Sequence, residues 1–246
     1  MKQLIYTVEE NIPIAREVYK MTLLGDTSPI TRPGQFVNLR LDGFYLRRPI
    51  SVCDCEDGRL TIIYKVVGQG TKSLSLIAPG TAVDTLSGLG NGYSLEKSGE
   101  SPLLVGGGVG VPPLYLLAKR LIEKGCRVSC VLGFNSAEDV FYEEEFSRLG
   151  AGVTVMTADG SYGSHGFVTD AIPGLSYSFF YSCGPEAMFR AMHGVMRTSG
   201  QYSFEERMGC GFGACMGCSC KTVTGFKRIC REGPVMDSSD IIWDRG

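Results

Sequence analysis

The chain has 246 residues, a formal net charge of -2 and 43% hydrophobic residues, a composition typical of a folded protein. The small net charge gives no electrostatic reason to expect binding to nucleic acid or to an anionic membrane. No apolar stretch approaches the roughly 20 residues that a transmembrane helix needs. Ten cysteines follow a beginning, Met1–Glu10, that does not resemble a signal peptide. We therefore expect a cytoplasmic protein whose cysteines serve metal or redox chemistry rather than disulfides.

The first 95 or so residues have the patterning of β-structure. Alternating or β-branched runs are separated by turn residues such as Pro33-Gly34 and Asp57-Gly58. A short helical segment, Lys72–Ile77, ends at Pro79-Gly80. The runs predict strands at Leu4–Val8, Glu17–Leu23, Gln35–Leu39, Pro49–Cys53, Leu60–Val67 and Ala82–Leu86. Short strands at this spacing predict a small antiparallel barrel.

After a polar boundary near Ser98–Ser101 the pattern changes to alternating strands and helices, which predicts βαβ units around a parallel sheet. The predicted strands are Leu103–Val105, Arg127–Leu132, Val153–Met156 and Tyr177–Ser182, and the predicted helices are Leu114–Lys124, Glu143–Leu149 and Pro185–Arg197. A last strand, Tyr202–Glu206, leads into a cysteine-rich segment. We therefore expect domains at residues 1–98, 99–203 and 204–246.

The cysteine-rich segment is the most specific feature of the chain. Cys210, Cys215 and Cys218 have the C-x4-C-x2-C spacing of plant-type [2Fe–2S] ferredoxins, and Cys230 supplies the fourth ligand. Structural zinc is the alternative, but zinc sites usually pair their ligands in two short C-x2–4-C units. Cys220 is an extra cysteine, which we interpret as a buried thiol outside the ligand set; the alternative is that it replaces Cys218 as a ligand.

A second motif, Arg48-Pro49-Ile50-Ser51, begins a predicted barrel strand. An arginine and a serine on either side of a rigid proline could bind a phosphate and a ring nitrogen. The alternative is a solvated arginine at a strand end. Gly70-Thr71, at a predicted helix start, adds a possible anion site and favours ligand binding.

The third motif is the loop Gly106–Pro113, which joins a predicted strand to a predicted helix. Glycines in this context leave the backbone open to a pyrophosphate, although prolines stand where a standard G-x-G-x-x-G has its third glycine. The alternative is a glycine turn without a ligand. We favour dinucleotide binding because the loop lies in a βαβ unit.

The fourth motif, Cys183-Gly184-Pro185, lies at the carboxyl end of a predicted strand. Ligands of open α/β sheets bind at such ends, so Cys183 could contact a nicotinamide or a flavin. The alternative is that Cys183 fills the core.

Together, in this order, the motifs resemble the ferredoxin–NADP reductase superfamily. With the four cysteines, Gly233-Pro234-Val235 and Trp243, the chain resembles the electron-transfer subunits of class 1B dihydroorotate dehydrogenases. The resemblance implies a flavin-binding barrel, a nicotinamide domain and a small [2Fe–2S] domain. It implies FAD contacts from Arg48, Pro49, Ile50, Ser51, Ile63, Tyr64, Lys65, Gly70 and Thr71, and NAD contacts from Gly106, Gly107, Gly108, Gly110, Cys183, Gly184 and Pro185.

The resemblance also implies a partner and a route. Dihydroorotate would be oxidised on FMN in a separate catalytic subunit, and electrons would pass through the cluster and FAD to NAD+ for pyrimidine synthesis. The expected assembly has two catalytic and two electron-transfer subunits. This order is chemically reasonable because a flavin can exchange either a hydride or single electrons. His165 and His193 have no evident carboxylate partner by spacing, so we expect no histidine-centred acid–base site.

Two departures from the family pattern are the extra Cys220 and Ser87-Gly88, which stands where the superfamily often has Gly-Pro. Two other functions remain open: a flavin and iron–sulfur reductase subunit for another partner, such as a sulfide dehydrogenase, hydrogenase or ferredoxin reductase, and a zinc-stabilised binding protein. We expect NAD rather than NADP, because Gly133–Asp139 contains acids and no arginine for a 2′-phosphate. Met208, Phe212 and Met216 interleave the cysteines, and each could be local packing or part of an exposed apolar patch. From the three together, beside a cluster, we expect a flavoprotein subunit to dock there.

Overall fold

The computed structural model describes residues 1–243, and its first part is a closed antiparallel barrel with strand order β1-β2-β5-β4-β3-β6. Buried and accessible residues alternate along β6, as expected for a strand with one face on a core. The strands are β1 (Lys2–Ala15), β2 (Val18–Leu24), β3 (Phe36–Leu39), β4 (Arg48–Glu56), β5 (Arg59–Lys65) and β6 (Ala82–Leu89). Helix α1 (Gln69–Ser75) lies between β5 and β6. The predicted barrel is confirmed.

Strand β1 is much longer than the predicted Leu4–Val8. Its first half pairs with β6 and its second half pairs with β2, with register shifts between Val8 and Glu10 and between Pro13 and Ala15. Such irregularities bend a strand. They allow β1 to change partners, so Asn11 and Pro13 lie within a bent strand and do not form the predicted turn.

The second part is a sheet with strand order β10-β9-β8-β7-β11-β12-β15. Its strands are β7 (Leu103–Gly107), β8 (Ser129–Phe134), β9 (Gly152–Thr157), β10 (Ser164–His165), β11 (Phe180–Cys183) and β12 (Gly200–Ser203), and all of these run parallel. Its helices are α2 (Pro112–Glu123), α3 (Glu143–Arg148), α4 (Val168–Ala171) and α5 (Glu186–His193). The short elements β10 and α4 were not predicted from the sequence. No helix within residues 1–243 is long and apolar enough to cross a membrane.

The C-terminal region contains a hairpin of β13 (Ser219–Thr222) and β14 (Gly225–Arg228), followed by β15 (Val235–Asp237). Strand β15 pairs antiparallel with β12 and forms one edge of the seven-stranded sheet. The region beyond residue 204 is therefore joined to the sheet by main-chain hydrogen bonds. None of these three strands was predicted from the sequence.

The barrel and the sheet share a continuous core. Val18 and Ile63 of the barrel belong to the same buried cluster as Leu114 and Leu117 of helix α2. A half-buried ion pair reinforces this contact, because the ammonium of Lys119 on α2 lies 3.4 Å from a carboxylate oxygen of Asp54 on β4. The shared core and this ion pair join the barrel to the sheet through helix α2.

Candidate cofactor and electron-transfer sites

A cavity of about 640 Å³ lies between the barrel and the carboxyl edge of the sheet. Lys65 borders it from the barrel, while Gly108 and Gly110 border it from the loop after β7, and Gly184 and Pro185 from the loop after β11. Parallel strands point their carboxyl ends toward one edge, which is where ligands of open α/β sheets bind. The tertiary structure therefore brings together sequence motifs more than 70 residues apart.

The glycines of the loop after β7 differ in what a side chain at each position would contact. A Cβ at Gly110 would lie 2.2 Å from the carbonyl oxygen of Cys183, so this glycine permits close contact between two loops. Gly108 has a φ of +52°, and a Cβ there would meet open space within the described residues. Gly106, in contrast, faces Val111 and does not line the cavity. Gly106 therefore serves strand–helix packing, whereas Gly107, Gly108 and Gly110 border the cavity.

Cys183 lies behind the cavity wall. Its side chain is 1% exposed, and Gly184 and Pro185 line the cavity in its place. Burial raises the pKa of the Cys183 thiol well above its ordinary value, and the nearby Glu205 carboxylate adds to this effect. The residue is thus a neutral thiol at this surface. Contact between Cys183 and a nicotinamide stays a prediction from the sequence.

Arg48 and Gly70 meet in the structure, which joins two of the predicted flavin motifs. A Cβ at Gly70 would lie 2.0 Å from Nε of Arg48, so only glycine leaves space for this guanidinium. The guanidinium carbon lies 4.7 Å from the ring centre of Phe44. Within residues 1–243, Arg48 takes part in no ion pair, whereas the neighbouring Arg47 binds Asp84 at 3.0 Å. Arg48 therefore has charge available for a phosphate.

The remaining flavin candidates differ in what they can offer. Pro49, Ile50 and Ser51 follow Arg48 on β4 and are half-buried. The hydroxyl of Thr71 accepts hydrogen bonds from the N–H groups of Val67 and Gly68, so it already caps its own helix.

Two of the three candidates on β5 have buried side chains. Ile63 and Tyr64 are 3% and 2% exposed, and the Tyr64 hydroxyl donates to Oδ1 of Asn11 at 2.8 Å. Their side chains are therefore not available to a flavin. Lys65 is accessible, borders the cavity and lies 3.9 Å from Asp139.

The four predicted ligand cysteines lie together as two pairs. The N–H of Cys215 donates to the Cys210 sulfur at 3.5 Å, and the N–H of Cys230 donates to the Cys218 sulfur at 3.4 Å. A [2Fe–2S] cluster needs four cysteine thiolates, two for each iron. Among residues 1–243, no three His, Cys, Asp or Glu side chains gather as a single metal ion would require. Two cysteine pairs match the two irons of such a cluster, each of which takes two thiolates.

The backbone around Cys210 favours a thiolate. Burial alone would raise its pKa, but N–H groups of Phe212, Cys215 and Ala214 lower it to about 6. Two of these contacts are N–H donors at 3.2 Å from Ala214 and 3.5 Å from Cys215 to the Cys210 sulfur. Cys230 is different, because burial and then its contact with Cys218 raise its pKa to about 12. Donors aimed at sulfur are what an iron–sulfur loop requires, so the residues fit the cluster.

The Cys220 thiol contacts a residue of strand β15. It lies on β13 opposite Lys227, and its thiol contacts the Met236 sulfur at 3.9 Å. It is half-buried rather than fully buried as predicted, because β13 lies at the surface. Its contact with Met236 supports the interpretation of Cys220 as a free thiol.

The predicted apolar patch is smaller than the sequence suggested. Met208 packs against the buried cluster formed by Cys218, Ile229 and Cys230, so it belongs to the core under the loop. Phe212 and Met216 are 43% and 53% exposed and form the outer face of the loop. Their exposure beside the cysteines is compatible with docking.

Sequence reasoning missed several residues near these sites. Glu205 borders the cavity, and burial among surrounding protein atoms raises its pKa, although its side chain is accessible through the open cavity. Asn91, known from the sequence only as part of a glycine turn, bonds the carbonyls of Glu232 and Val235 at 2.9 Å and 2.8 Å. Arg16 reaches from the barrel to Asp139 at 2.7 Å. Each role depends on contacts between residues distant in sequence.

Comparison with known proteins follows the same division of the chain. Residues 104–194 match the oxidoreductase NAD-binding domain, and residues 205–242 match the iron–sulfur cluster binding domain of dihydroorotate dehydrogenase B. A chain from an NADH-dependent reduced ferredoxin–NADP oxidoreductase has a TM-score of 0.88 and 29% identity, covering 98% of this chain and 91% of that chain. Phthalate dioxygenase reductase shares the fold, with a TM-score of 0.67 and 18% identity over 90% of this chain and 87% of that chain. Fold and sites thus define an oxidoreductase of the ferredoxin–NADP reductase class.

The sequence relatives are more specific. Dihydroorotate dehydrogenase B (NAD(+)), electron transfer subunit, of Shouchella clausii is 46% identical, with 98% of each chain covered. The protein of the same description from Fusobacterium nucleatum is also 46% identical, with 96% of each chain covered. This chain belongs to the family of dihydroorotate dehydrogenase B electron-transfer subunits. The family resemblance predicted from the motifs is confirmed.

Proposed function

We propose that this chain is the electron-transfer subunit of an NAD-dependent dihydroorotate dehydrogenase, acting in the pyrimidine pathway. It would receive electrons from the FMN of a catalytic subunit and pass them through a [2Fe–2S] cluster and FAD to NAD+. The observation that carries the proposal is the position of the barrel. A dinucleotide-sized cavity borders it on one side, and a loop with two cysteine pairs contacts it on another.

FAD fits the barrel segment around Arg48 and Gly70. When bound, FAD exchanges a hydride with nicotinamide and single electrons with an iron–sulfur cluster, which neither of those groups can do alone. The unpaired guanidinium of Arg48 would hold a flavin phosphate, and the half-buried Pro49, Ile50 and Ser51 would contact the ring system. Gly70 makes room for this guanidinium. Ile63 and Tyr64 would contribute only main-chain atoms, since their side chains are buried.

NAD fits the cavity at the sheet edge. Gly107, Gly108 and Gly110 would allow the pyrophosphate to approach the backbone, and Gly184 and Pro185 would form the wall at the nicotinamide. Cys183 would support that wall from behind. No residue at this surface forms an acid–base pair with a histidine within the described part of the chain, so the chain acts by orienting the two rings and excluding water.

Selectivity for NAD follows from the charges near Asn135. The sequence expectation that no arginine is available needs correction, because the barrel brings Arg16 to Ser136, Glu138 and Asp139. Both carboxylates bind this guanidinium, at 3.2 Å and 2.7 Å. The positive charge of Arg16 is therefore already neutralised by Glu138 and Asp139. A 2′-phosphate at this position would be repelled by the two carboxylates, which disfavours NADP.

The cluster would be held by Cys210, Cys215, Cys218 and Cys230. Its exposed face carries Phe212 and Met216, and we propose that the FMN-containing subunit covers this face in an assembly of two plus two subunits. A redox partner must come close to the cluster for fast transfer, and these two side chains give it an apolar contact beside the most exposed ligand, Cys215.

The test combines cofactor content with reconstitution. The purified chain should contain flavin and two irons and reduce dyes with NADH. When it is co-expressed with the FMN subunit, the two should elute from size-exclusion chromatography as one complex, with a mass by light scattering of two plus two chains. This complex should oxidise dihydroorotate with NAD+. Dihydroorotate oxidation by the isolated chain, or a purified chain that holds zinc and no flavin, would contradict the proposal.

Charged substitutions test the docking face. Phe212→Lys and Met216→Lys should weaken the complex at least about tenfold and leave NADH–dye activity unchanged, because buried apolar contacts would be replaced by charges. Tyr162→Lys is a matched control, since Tyr162 is 45% exposed and lies next to β10, at the sheet edge opposite β15. An intact complex and intact turnover in both variants would rule out this face.

A reductase subunit for another partner remains the second candidate. The similarity to the NADH-dependent ferredoxin–NADP oxidoreductase chain, at 29% identity over 98% of this chain, favours it as the alternative. Purification of the native complex distinguishes the two, because the alternative requires a co-purifying subunit other than the FMN-containing dehydrogenase.

A further inference from the structure

Asn38 is a polar residue in an unusual place. It lies on β3, is 1% exposed and stands directly opposite Pro49 of the predicted flavin segment. Asparagine is depleted both in strands and in buried positions. Its side chain therefore needs an explanation beyond the barrel fold.

The Asn38 amide reaches the cluster loop. Its Nδ2 donates to the carbonyl oxygen of Cys210 at 3.4 Å, a long hydrogen bond. The next residue, Gly211, has a φ of +77°, and a Cβ there would lie 2.4 Å from the same Nδ2. The loop backbone thus packs directly on this amide, and the contact requires glycine.

The other end of the amide has no partner. Oδ1 of Asn38 is buried and accepts no hydrogen bond from any residue in 1–243. An unsatisfied buried acceptor destabilises the folded chain, because it has lost its hydrogen bonds to water. Exchanging the amide oxygen and nitrogen would not help, because the oxygen would then face the Cys210 carbonyl oxygen. The barrel alone gains nothing from this arrangement.

Other buried polar residues of the barrel make a useful contrast. Gln35, 6% exposed, accepts hydrogen bonds from the N–H groups of Thr31 and Arg32 and donates to the carbonyl of Gly90. Its amide is satisfied within the barrel and its adjoining turn. Asn38 differs because the side-chain hydrogen bond that it makes within residues 1–243 leads from the barrel to Cys210, a predicted cluster ligand.

We propose that Asn38 is a positioning residue, which holds the Cys210 segment against the flavin-binding strand and fixes the relation between the two cofactor sites. The inference rests on the proposed function, since it concerns electron transfer between flavin and cluster. Residues that orient metal ligands by hydrogen bonds affect affinity or activity about 10–100-fold. A donor that draws charge from the Cys210 carbonyl also favours the more negative, reduced cluster.

The experiment replaces Asn38 and observes the cluster directly. Asn38→Leu removes the donor with little change in volume, and Asn38→Asp keeps the shape but places an acceptor against the carbonyl. Both should alter the electron paramagnetic resonance g-values of the NADH-reduced protein and shift the cluster potential to more negative values. Cluster reduction through the flavin, followed by stopped-flow absorbance, should slow about tenfold.

Gln35→Met is the control for a buried amide that does not touch the loop. It should lower thermal stability but leave the g-values and the potential as in the unaltered chain. The proposal is wrong if Asn38→Leu and Asn38→Asp behave like this control, or if neither variant retains FAD, which would assign Asn38 to barrel folding. An unaltered chain without iron or flavin would instead overturn the proposed function itself.

Discussion

The cavity at the edge of the parallel sheet and the cysteine loop are built in opposite ways. The cavity wall consists of backbone at the ends of buried parallel strands, such as β7 and β11, whose order is fixed by the sheet. The loop from Cys210 to Cys218 has no regular secondary structure, and Cys215 at its tip is exposed. The cavity exists because of the fold, whereas the loop gains its order from contacts with sulfur and with the barrel.

The two regions should therefore respond differently to change. Closely packed backbone tolerates no added atom, while a loop organised by metal should fail when a ligand is lost. The cysteine region is also held unevenly, because Asn91 bonds the carbonyl of Glu232 in the segment after Cys230, whereas Phe212 and Met216 on the outer face of the loop are exposed.

The largest effect should come from the cysteines. Serine at position 210, 215, 218 or 230 should remove or alter the cluster, because each of these thiolates is a proposed ligand, while Cys220→Ser should retain it. Iron content and visible absorption measure the outcome. Loss of iron in Cys220→Ser but not in Cys218→Ser would reverse the assignment, and NADH binding should survive in every variant.

A substitution in the cavity wall should impair nucleotide binding and leave the cluster intact. Gly110→Ala would place a methyl carbon 2.2 Å from the Cys183 carbonyl oxygen, which is too close for two atoms that are not bonded. The resulting displacement should lower the rate of flavin reduction by NADH about 100-fold. Iron content should not change. Gly174→Ala is the control, since a Cβ there meets open space within the described residues; equal rates in the two variants would contradict the prediction.

A moderate effect is expected in the segment that follows Cys230. Asn91→Ala removes three hydrogen bonds, two to the carbonyls of Glu232 and Val235 and one from the Val235 N–H at 3.1 Å. At roughly 1 kcal/mol each, the loss is about 3 kcal/mol of stability in the cluster region. Iron loss in mild denaturant should occur earlier.

Asn11→Ala is the matched comparison for this change. Asn11 also makes three hydrogen bonds, to the carbonyls of Leu74 and Ile77 and from the Tyr64 hydroxyl, but all within the barrel. This variant should release FAD earlier and keep iron. If both variants lose iron at the same denaturant concentration, the two regions unfold as one unit.

The smallest effect concerns the nucleotide. The unaltered chain should prefer NADH to NADPH, and Glu138→Gln should raise use of NADPH a few-fold, since Arg16 would lose one exposed partner, and exposed ion pairs are weak. Initial rates of flavin reduction with both nucleotides provide the measurement. If the unaltered chain used NADPH as well as NADH or better, the predicted preference for NAD would be wrong.

The sequence by itself determined the fold class and the motifs. Strand periodicity predicted the barrel, alternating elements predicted the parallel sheet, and the spacing of Cys210, Cys215 and Cys218 pointed to a two-iron cluster. These signals are local, because periodicity, turn residues and ligand spacing are all read within short stretches of chain. Bounds shifted by several residues where strands bend, as in β1.

Which side chains face the sites depends on the tertiary structure. Cys183 proved to be 1% exposed, Met208 joined the core under the loop, and Gly106 packed on helix α2 instead of facing the cavity. Strand β15 joined the sheet, and Asn91, Arg16 and Asn38 gained roles through partners more than 100 residues away. Such contacts depend on how distant segments pack, and the spacing of residues along one chain does not encode them.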